Sequence, residues 1–172
     1  MLKFPYGFSD FYLLQTENYF YADRTSHIPL IEEAGHQLLF LRPRRFGKSL
    51  LLSMLENYYD VAKASEFDRL FGHLAIGQNP TPLHNQYLVM KWDFSVVEPQ
   101  DDVNGIRKSL HDHINNRIKR FTERYQEYFS YSVEIDENNA ISSFESSFYC
   151  FVAVLLRHSH IKWRNVSWKT AF

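Results

Sequence analysis

Apolar and polar positions form blocks along the chain that predict two strands separated by a helix. The predicted strands are the apolar runs Gln37–Leu41 and Tyr87–Phe94. Between them, apolar side chains recur at spacings of three and four residues from Lys48 to about Ala62, which is typical of an amphipathic helix. This recurrence predicts a core face composed of Leu51, Leu52, Leu55, Tyr58 and Tyr59.

Two more helices are predicted after the second strand. The first extends from Val103 to Phe129, and one side of it carries Ile106, Leu110, Ile114, Ile118, Phe121 and Tyr125. The last extends from Ala140 to about Leu156, with Asn138 or Asn139 as its cap. The order strand, helix, strand, helix predicts an α/β domain with a mainly parallel sheet flanked by helices.

The region before the first strand has a weaker pattern. Residues 1–24 are rich in aromatic side chains and are predicted to be irregular. Thr25 or Ser26 can cap a short helix that has Pro29 near its start and ends at Glu33. A second irregular stretch, rich in Gly and Pro, is predicted over residues 72–82.

Composition indicates a folded protein without a strong overall charge. The chain has 172 residues, 17% of them aromatic, and a formal net charge of −1. That charge does not attract the whole protein to nucleic acid or to an anionic membrane. The single cysteine, Cys150, fits a reducing cytoplasm. The longest apolar run, Phe148 to Leu156, is too short to span a membrane, so we expect a cytoplasmic protein with no membrane partner.

The segment that carries chemistry joins the first strand to the helix that follows it. The apolar run Leu38–Leu41 leads into a short loop, and the loop ends in Gly47-Lys48-Ser49. Gly47 allows backbone amides to approach a phosphate, and the start of a helix attracts anions. Lys48 can contact the β- and γ-phosphates, and the Ser49 hydroxyl can bind Mg²⁺. ATP with Mg²⁺ is therefore the expected ligand.

Three motifs, in order along the chain, resemble those of the AAA-ATPase-like family. Residues 42–49 read R-P-R-R-F-G-K-S, an upstream block reads Tyr21-Ala22-Asp23-Arg24-Thr25, and the second predicted strand ends in Asp93-Phe94-Ser95. The resemblance covers residues 6 to about 147. It implies a P-loop ATPase-like protein in which Arg42 replaces the first glycine of the loop. Many members also resemble fusions to a C-terminal nuclease-like domain.

The resemblance also implies the residues of the site. Lys48 is the expected catalytic residue, and Ser49 is the expected Mg²⁺ ligand. The nucleotide-binding residues are expected to be Arg42, Pro43, Arg44, Arg45, Phe46, Gly47, Lys48, Ser49 and Leu50. Arg44 and Arg45 can brace phosphates, or they can pair with acids such as Asp23 and Glu17; the sequence leaves both open.

A second reading of the chain remains open. It is a non-catalytic interaction or nucleic-acid-binding fragment in which the basic loop Arg42–Lys48 contacts nucleic acid phosphates. Self-association is a further possibility. The basic side of the long predicted helix can also meet nucleic acid, but acidic residues dilute it, so a solvated surface is the simpler interpretation.

ATP hydrolysis requires an acid at the end of a further apolar strand, to orient Mg²⁺. In the resembled family this strand follows a helix like the one beginning at Ala140, whereas residues 157–164 of this chain contain no acid. Asp93 is treated as a structural or accessory residue. We therefore expect a P-loop domain over residues 1–147, a divergent or truncated tail over residues 148–172, a fold that is incomplete at its C-terminal end, and impaired hydrolysis.

Overall fold

Helices supply the regular structure of the described part of the chain. The computed structural model describes residues 3–35, 37–97, 102–129 and 133–146. The α-helices are α1 (Phe11–Thr16), α2 (Ile28–Glu33), α3 (Lys48–Tyr59), α4 (Phe67–Phe71), α5 (Ala75–Gln78) and α6 (Val103–Arg124). Short 3₁₀ helices cover Thr25–His27, Val61–Glu66, Phe94–Val96 and Gln126–Tyr128, and residues 140–146 are helical. The chain divides into two units between Leu88 and Val89.

The prediction of a mainly parallel sheet is wrong. Over the described residues, β-pairing is limited to two isolated bridges, Lys3 with Tyr19 and Asp60 with Tyr87. A strand requires a neighbouring backbone along its length. In the two predicted strands only Tyr87 obtains a backbone partner among the described residues. The amide of Val89 instead donates to the Tyr125 hydroxyl at 2.9 Å. The described part of the chain is therefore of a helical class.

The first unit is organised around a hydrophobic cluster that is rich in aromatic side chains, here called the aromatic cluster. The Phe71 ring stacks on Phe11 with 5.0 Å between centroids and meets Tyr58 edge-on at 5.4 Å. The buried members of this cluster are Phe11, Ile28, Met54, Tyr58, Leu70, Phe71, Leu74 and Ile76. Aromatic contacts of this kind add to the free energy gained by removing apolar surface from water.

Helix α3 begins at Lys48, as predicted, but ends at Tyr59, where Asp60 starts a 3₁₀ segment. The predicted core face is confirmed at Tyr58, which is buried, and at Leu51, Leu55 and Tyr59, which are partly buried against the same cluster. It is wrong at Leu52, which is 57% exposed. Met54 is buried in its place. The helix is fixed to its neighbour by polar as well as apolar contacts, because the Phe11 amide donates to the Ser53 hydroxyl oxygen at 3.0 Å.

Two short helices lie where irregular structure was predicted. Helix α1 interrupts the N-terminal stretch, and helix α5 lies within the region rich in Gly and Pro, just after α4. Asp10 caps α1 by accepting a hydrogen bond from the Leu13 amide at 3.3 Å. The predicted helix ending at Glu33 is confirmed, with Pro29 in its first turn. The predicted cap is wrong, because His27 occupies the N-cap position and Thr25 and Ser26 belong to the preceding 3₁₀ helix.

The Tyr21–Thr25 block connects the N-terminal segment to helix α5. Asp23 accepts hydrogen bonds from the Thr25 amide at 2.8 Å and the Thr25 hydroxyl at 2.7 Å, while its other oxygen accepts from the Ala75 amide at 2.8 Å. The Thr25 hydroxyl oxygen in turn accepts from the Ile76 amide at 3.2 Å. Asp23 and Thr25 together therefore satisfy backbone donors at the start of α5.

The charge of Asp23 is part of this connection. Burial alone would raise the pKa of its carboxyl, but the hydrogen bonds from Ala75 and Thr25, with a contribution from His73, outweigh burial and lower that pKa. Nearby, burial and the charge of Asp23 raise the pKa of Tyr21 to about 12, against a smaller opposing effect of Arg24. The Tyr21 ring packs edge-on against Phe11 at 5.3 Å, so this block has a structural role.

The second unit is built on α6. Asp102 caps this helix by accepting from the Gly105 amide, and Ile118 and Tyr125 are fully buried. The helix ends at Arg124, earlier than predicted, because Tyr125 leaves the helical conformation. The predicted start of the last helix is confirmed at Ala140, where Asn139 accepts a hydrogen bond from the Ser142 amide at 3.3 Å. The predicted extension of that helix to Leu156 lies outside the described residues.

Among the described residues, no helix combines the length and the apolar character needed to cross a bilayer. The predictions for residues 148–172, including Cys150 and the divergent tail, concern residues outside that range.

Replacement of Asp23 tests the connection to α5. Asp23→Ala should lower the free energy of unfolding at pH 7 by about 1 kcal/mol, the usual cost of losing a capping side chain. Because the folded-state pKa of Asp23 is lowered, its contribution is present above the unfolded-state pKa of about 3.9 and is lost as the pH falls through the folded-state value. Urea unfolding at pH 7 and pH 3 measures both effects.

Asp23→Asn provides the matched control for this prediction, since it keeps one oxygen acceptor and removes the charge. It should lie between wild type and Asp23→Ala at pH 7. The gap between wild type and each variant should narrow at pH 3, whereas the gap between the two variants, neither of which titrates at this position, should stay the same. A gap between wild type and Asp23→Ala that is unchanged on acidification would contradict the role assigned to the carboxylate.

Candidate functional site

The loop before α3 turns through two residues in the left-handed region. Arg45 has φ 66°, and Gly47, at the N-cap of α3, has φ 73° and ψ 17°. A side chain at Gly47 would meet no atom within 4 Å. Glycine is therefore required here by the backbone conformation and not by lack of space. For Arg45 the same conformation is unfavourable, and non-glycine residues in it are concentrated at functional sites.

The side chain of Lys48 folds back over this loop. Its ammonium donates hydrogen bonds to the carbonyl oxygens of Arg42 and Pro43, each at 2.8 Å. These two bonds connect the beginning of the loop to the first residue of α3. An ammonium has three donors, so one remains to contact an anion placed over the loop.

The N-terminus of α3 faces the same loop and has no side-chain cap among the described residues. The Gly47 carbonyl accepts the first helical hydrogen bond, from the Leu51 amide at 2.8 Å. The amides of the first turn lie at the positive end of the helix dipole. Backbone donors at such a position stabilise a bound anion.

The structure brings the predicted site residues together in one short segment. Lys48 and Leu50 are partly buried, and Leu50 packs against the aromatic cluster of the first unit. The exposed members of the segment are Arg42, Pro43, Arg44, Arg45, Phe46, Gly47 and Ser49. Ser49 lies on the first turn of α3.

The arginines of the loop differ in their surroundings. The Arg42 guanidinium lies 5.7 Å from the centre of the Phe40 ring, a cation–π contact that the sequence did not reveal. Within the described residues, the ion pairs are Lys63–Glu66 and Arg69–Glu66. Neither Arg44 nor Arg45 forms the pairing with Asp23 or Glu17 that the sequence left open.

Asp93, the acid at the end of the second predicted strand, belongs to the second unit. One of its carboxylate oxygens accepts from the Ser95 hydroxyl at 2.6 Å and from the Ser95 amide at 3.0 Å. These bonds, with the charges of Arg117 and His113, lower the pKa of Asp93, although residual burial opposes them. Asp93 therefore stabilises the turn at Phe94–Val96, which fits the structural role expected for it.

A helix start with free amides, a left-handed glycine and a lysine over the loop is an arrangement that can receive the phosphates of a nucleotide. A family model described as "Predicted AAA-ATPase" matches residues 5–159. The chain therefore belongs to the AAA-ATPase-like family, and the predicted family is confirmed. No curated protein and no solved structure matches the chain significantly.

Family membership indicates a protein that uses a nucleotide with Mg²⁺. In the part of the chain that the structure describes, no three His, Cys, Asp or Glu side chains form a group suited to a metal ion. The individual site residues, self-association, the division at residue 147 and a cytoplasmic location stay predictions.

Replacement of Arg45 by glycine tests the loop conformation. Arg45→Gly should raise the free energy of unfolding by about 0.5–1 kcal/mol, because glycine adopts a positive φ without steric cost. Arg44→Gly removes the same charge one residue away at a negative φ. It should lower the free energy of unfolding by a similar amount. Urea unfolding of both variants measures the difference, and changes of the same sign in both would contradict the assigned conformation.

Proposed function

We propose that the chain binds Mg-ATP through residues 42–50. The observation that carries this proposal is the position of Lys48, whose ammonium lies over the loop at 2.8 Å from two of its carbonyl oxygens. Lys48 is also the first residue of α3, whose N-terminus has no side-chain cap among the described residues. A phosphate chain over the loop would receive hydrogen bonds from the amides of that N-terminus and from Lys48 together.

The other groups of the loop take supporting roles in this proposal. Ser49 would supply its hydroxyl to a Mg²⁺ ion carried by the nucleotide. Arg44 and Arg45, which are exposed, would brace phosphate oxygens through their guanidinium groups. Arg42 contributes its carbonyl oxygen to Lys48, so a side chain at this position, where a P-loop usually has glycine, does not prevent the loop from closing on the lysine.

The alternative, in which loop 42–48 contacts nucleic acid, is less well supported by this geometry. Phosphate contacts along a nucleic acid strand use cations displayed to solvent. Lys48 is instead directed onto backbone carbonyls within the loop, so the cations that this loop displays to solvent are its arginines.

We further propose that these residues bind the nucleotide without hydrolysing it efficiently. Hydrolysis requires an acid that orients Mg²⁺ and the attacking water. The loop 42–50 contains no acid, and residues 157–164, where the family's acidic strand is expected, contain none either.

Calorimetric titration with Mg-ATP tests the binding proposal. Wild type should bind one nucleotide saturably, and Lys48→Ala should weaken binding by at least about tenfold, because a charge-assisted hydrogen bond contributes about 1.5–3 kcal/mol. Lys108→Ala, which removes an exposed lysine from α6, is the control and should bind as wild type does. Equal losses in the two variants, or no binding by folded wild type, would overturn the proposal.

Phosphate release tests the second proposal. With saturating Mg-ATP, the rate of phosphate release by wild type should equal that of Lys48→Ala, because the acid needed for turnover is not supplied. A colorimetric phosphate assay measures both rates. If wild type released phosphate and Lys48→Ala did not, this proposal would be wrong, and an acid elsewhere in the chain would complete the site.

A further inference from the structure

The basic side of α6 consists of two different surfaces. Successive residues of a helix are about 100° apart, which places residues 113, 117, 120 and 124 within an arc of about 60°. These four are His113, Arg117, Arg120 and Arg124, here called the arginine stripe. The acids of α6, Asp112 and Glu123, both lie to one side of the stripe, together with Lys119 and the open groove that they line.

The arginine stripe lies largely at the surface. Arg120 and Arg124 are exposed and Arg117 is partly exposed. Among the described residues, neither Arg117 nor Arg120 forms an ion pair. Arg117 and Arg124 are separated by about 10 Å along the helix axis, a distance that covers two or three phosphates of one nucleic acid strand.

One exposed and one partly buried aromatic ring lie at one end of the stripe. The Phe94 ring is 57% exposed and its centre is 6.0 Å from that of His113. Trp92 stacks against Phe94 with an angle of 5° between the rings and 6.1 Å between their centres. The centre of the Trp92 ring also lies 6.4 Å from that of Phe144, so Trp92 packs against a further aromatic side chain of the second unit.

From this arrangement we propose that the arginine stripe and the Phe94 and Trp92 rings bind single-stranded nucleic acid. The arginines would follow the phosphates, and the exposed face of Phe94 would stack on a base. A row of cations beside a stacking platform is the combination by which proteins bind single strands with little sequence preference. An acidic peptide would match the charge but would make no use of the rings.

One acid opposes the stripe. Asp93 is exposed and carries a charge close enough to be influenced by Arg117 and His113. It would repel a phosphate at that end, so its removal should strengthen binding if the ligand is a polyanion. This acid therefore supplies a variant with an effect opposite to that of the arginine variants.

The test uses the full chain without nucleotide and a fluorescent dT20 oligonucleotide, with binding followed by anisotropy over a range of salt concentrations. Wild type should show a slope of log affinity against log salt of about −2, as expected for three phosphate contacts on a single strand. Arg120→Gln should weaken binding by about threefold or more and reduce the slope by about 0.7. Lys119→Gln makes the same change of charge at the neighbouring residue and should leave the affinity and the salt slope unchanged.

Two further variants separate the contribution of the aromatic rings to dT20 binding from that of the charged side chains. Phe94→Leu keeps an apolar side chain and should weaken dT20 binding by about fivefold, with little change in the salt slope. Asp93→Asn should strengthen binding. Equal effects of Arg120→Gln and Lys119→Gln would overturn the proposal, and so would wild-type affinity in Phe94→Leu. Displacement of dT20 by polyglutamate of equal charge would also overturn it, in favour of an acidic protein partner.

Discussion

Helix α3 has to remain fixed in position for the candidate site to exist. Its C-terminal half is held by Tyr58, which is fully buried against Phe71 and hydrogen-bonded through its hydroxyl to Thr81 at 3.0 Å. Its middle is held by Ser53, which receives the Phe11 amide. With the rest of the helix fixed in this way, the direction in which its first amides point is determined by the aromatic cluster and not by the loop.

The loop is adapted to that fixed helix at some conformational cost. Arg45 and Gly47 both have positive φ, and of the two only glycine adopts it readily. The hydrogen bonds of Lys48 to Arg42 and Pro43 offset part of this cost by holding the loop closed. An anion that bonded to Lys48 and to the amides of α3 would add to the same set of interactions, so loop conformation and ligand binding would be coupled.

The sequence predicted those features that depend on neighbours in the chain. The start of α3 at Lys48 and the cap at Asn139 were found because capping and helical periodicity are local properties. The sheet was not predicted correctly, because strand pairing depends on distant backbone; the Val89 amide, for example, bonds to the Tyr125 hydroxyl. The hydrogen bond from the Ala75 amide to Asp23 could likewise not be predicted from the sequence, since the two residues are 52 positions apart.

The central claim is that the amides at the start of α3 bind the phosphates of a nucleotide. The most direct test is a nuclear magnetic resonance spectrum of protein labelled with ¹⁵N at its six glycines, recorded before and after addition of Mg-ATP. We predict that the amide signal of Gly47 moves on titration, while those of the remaining glycines change little. A saturable shift at other glycines, with Gly47 unchanged, would place the nucleotide elsewhere and contradict the account.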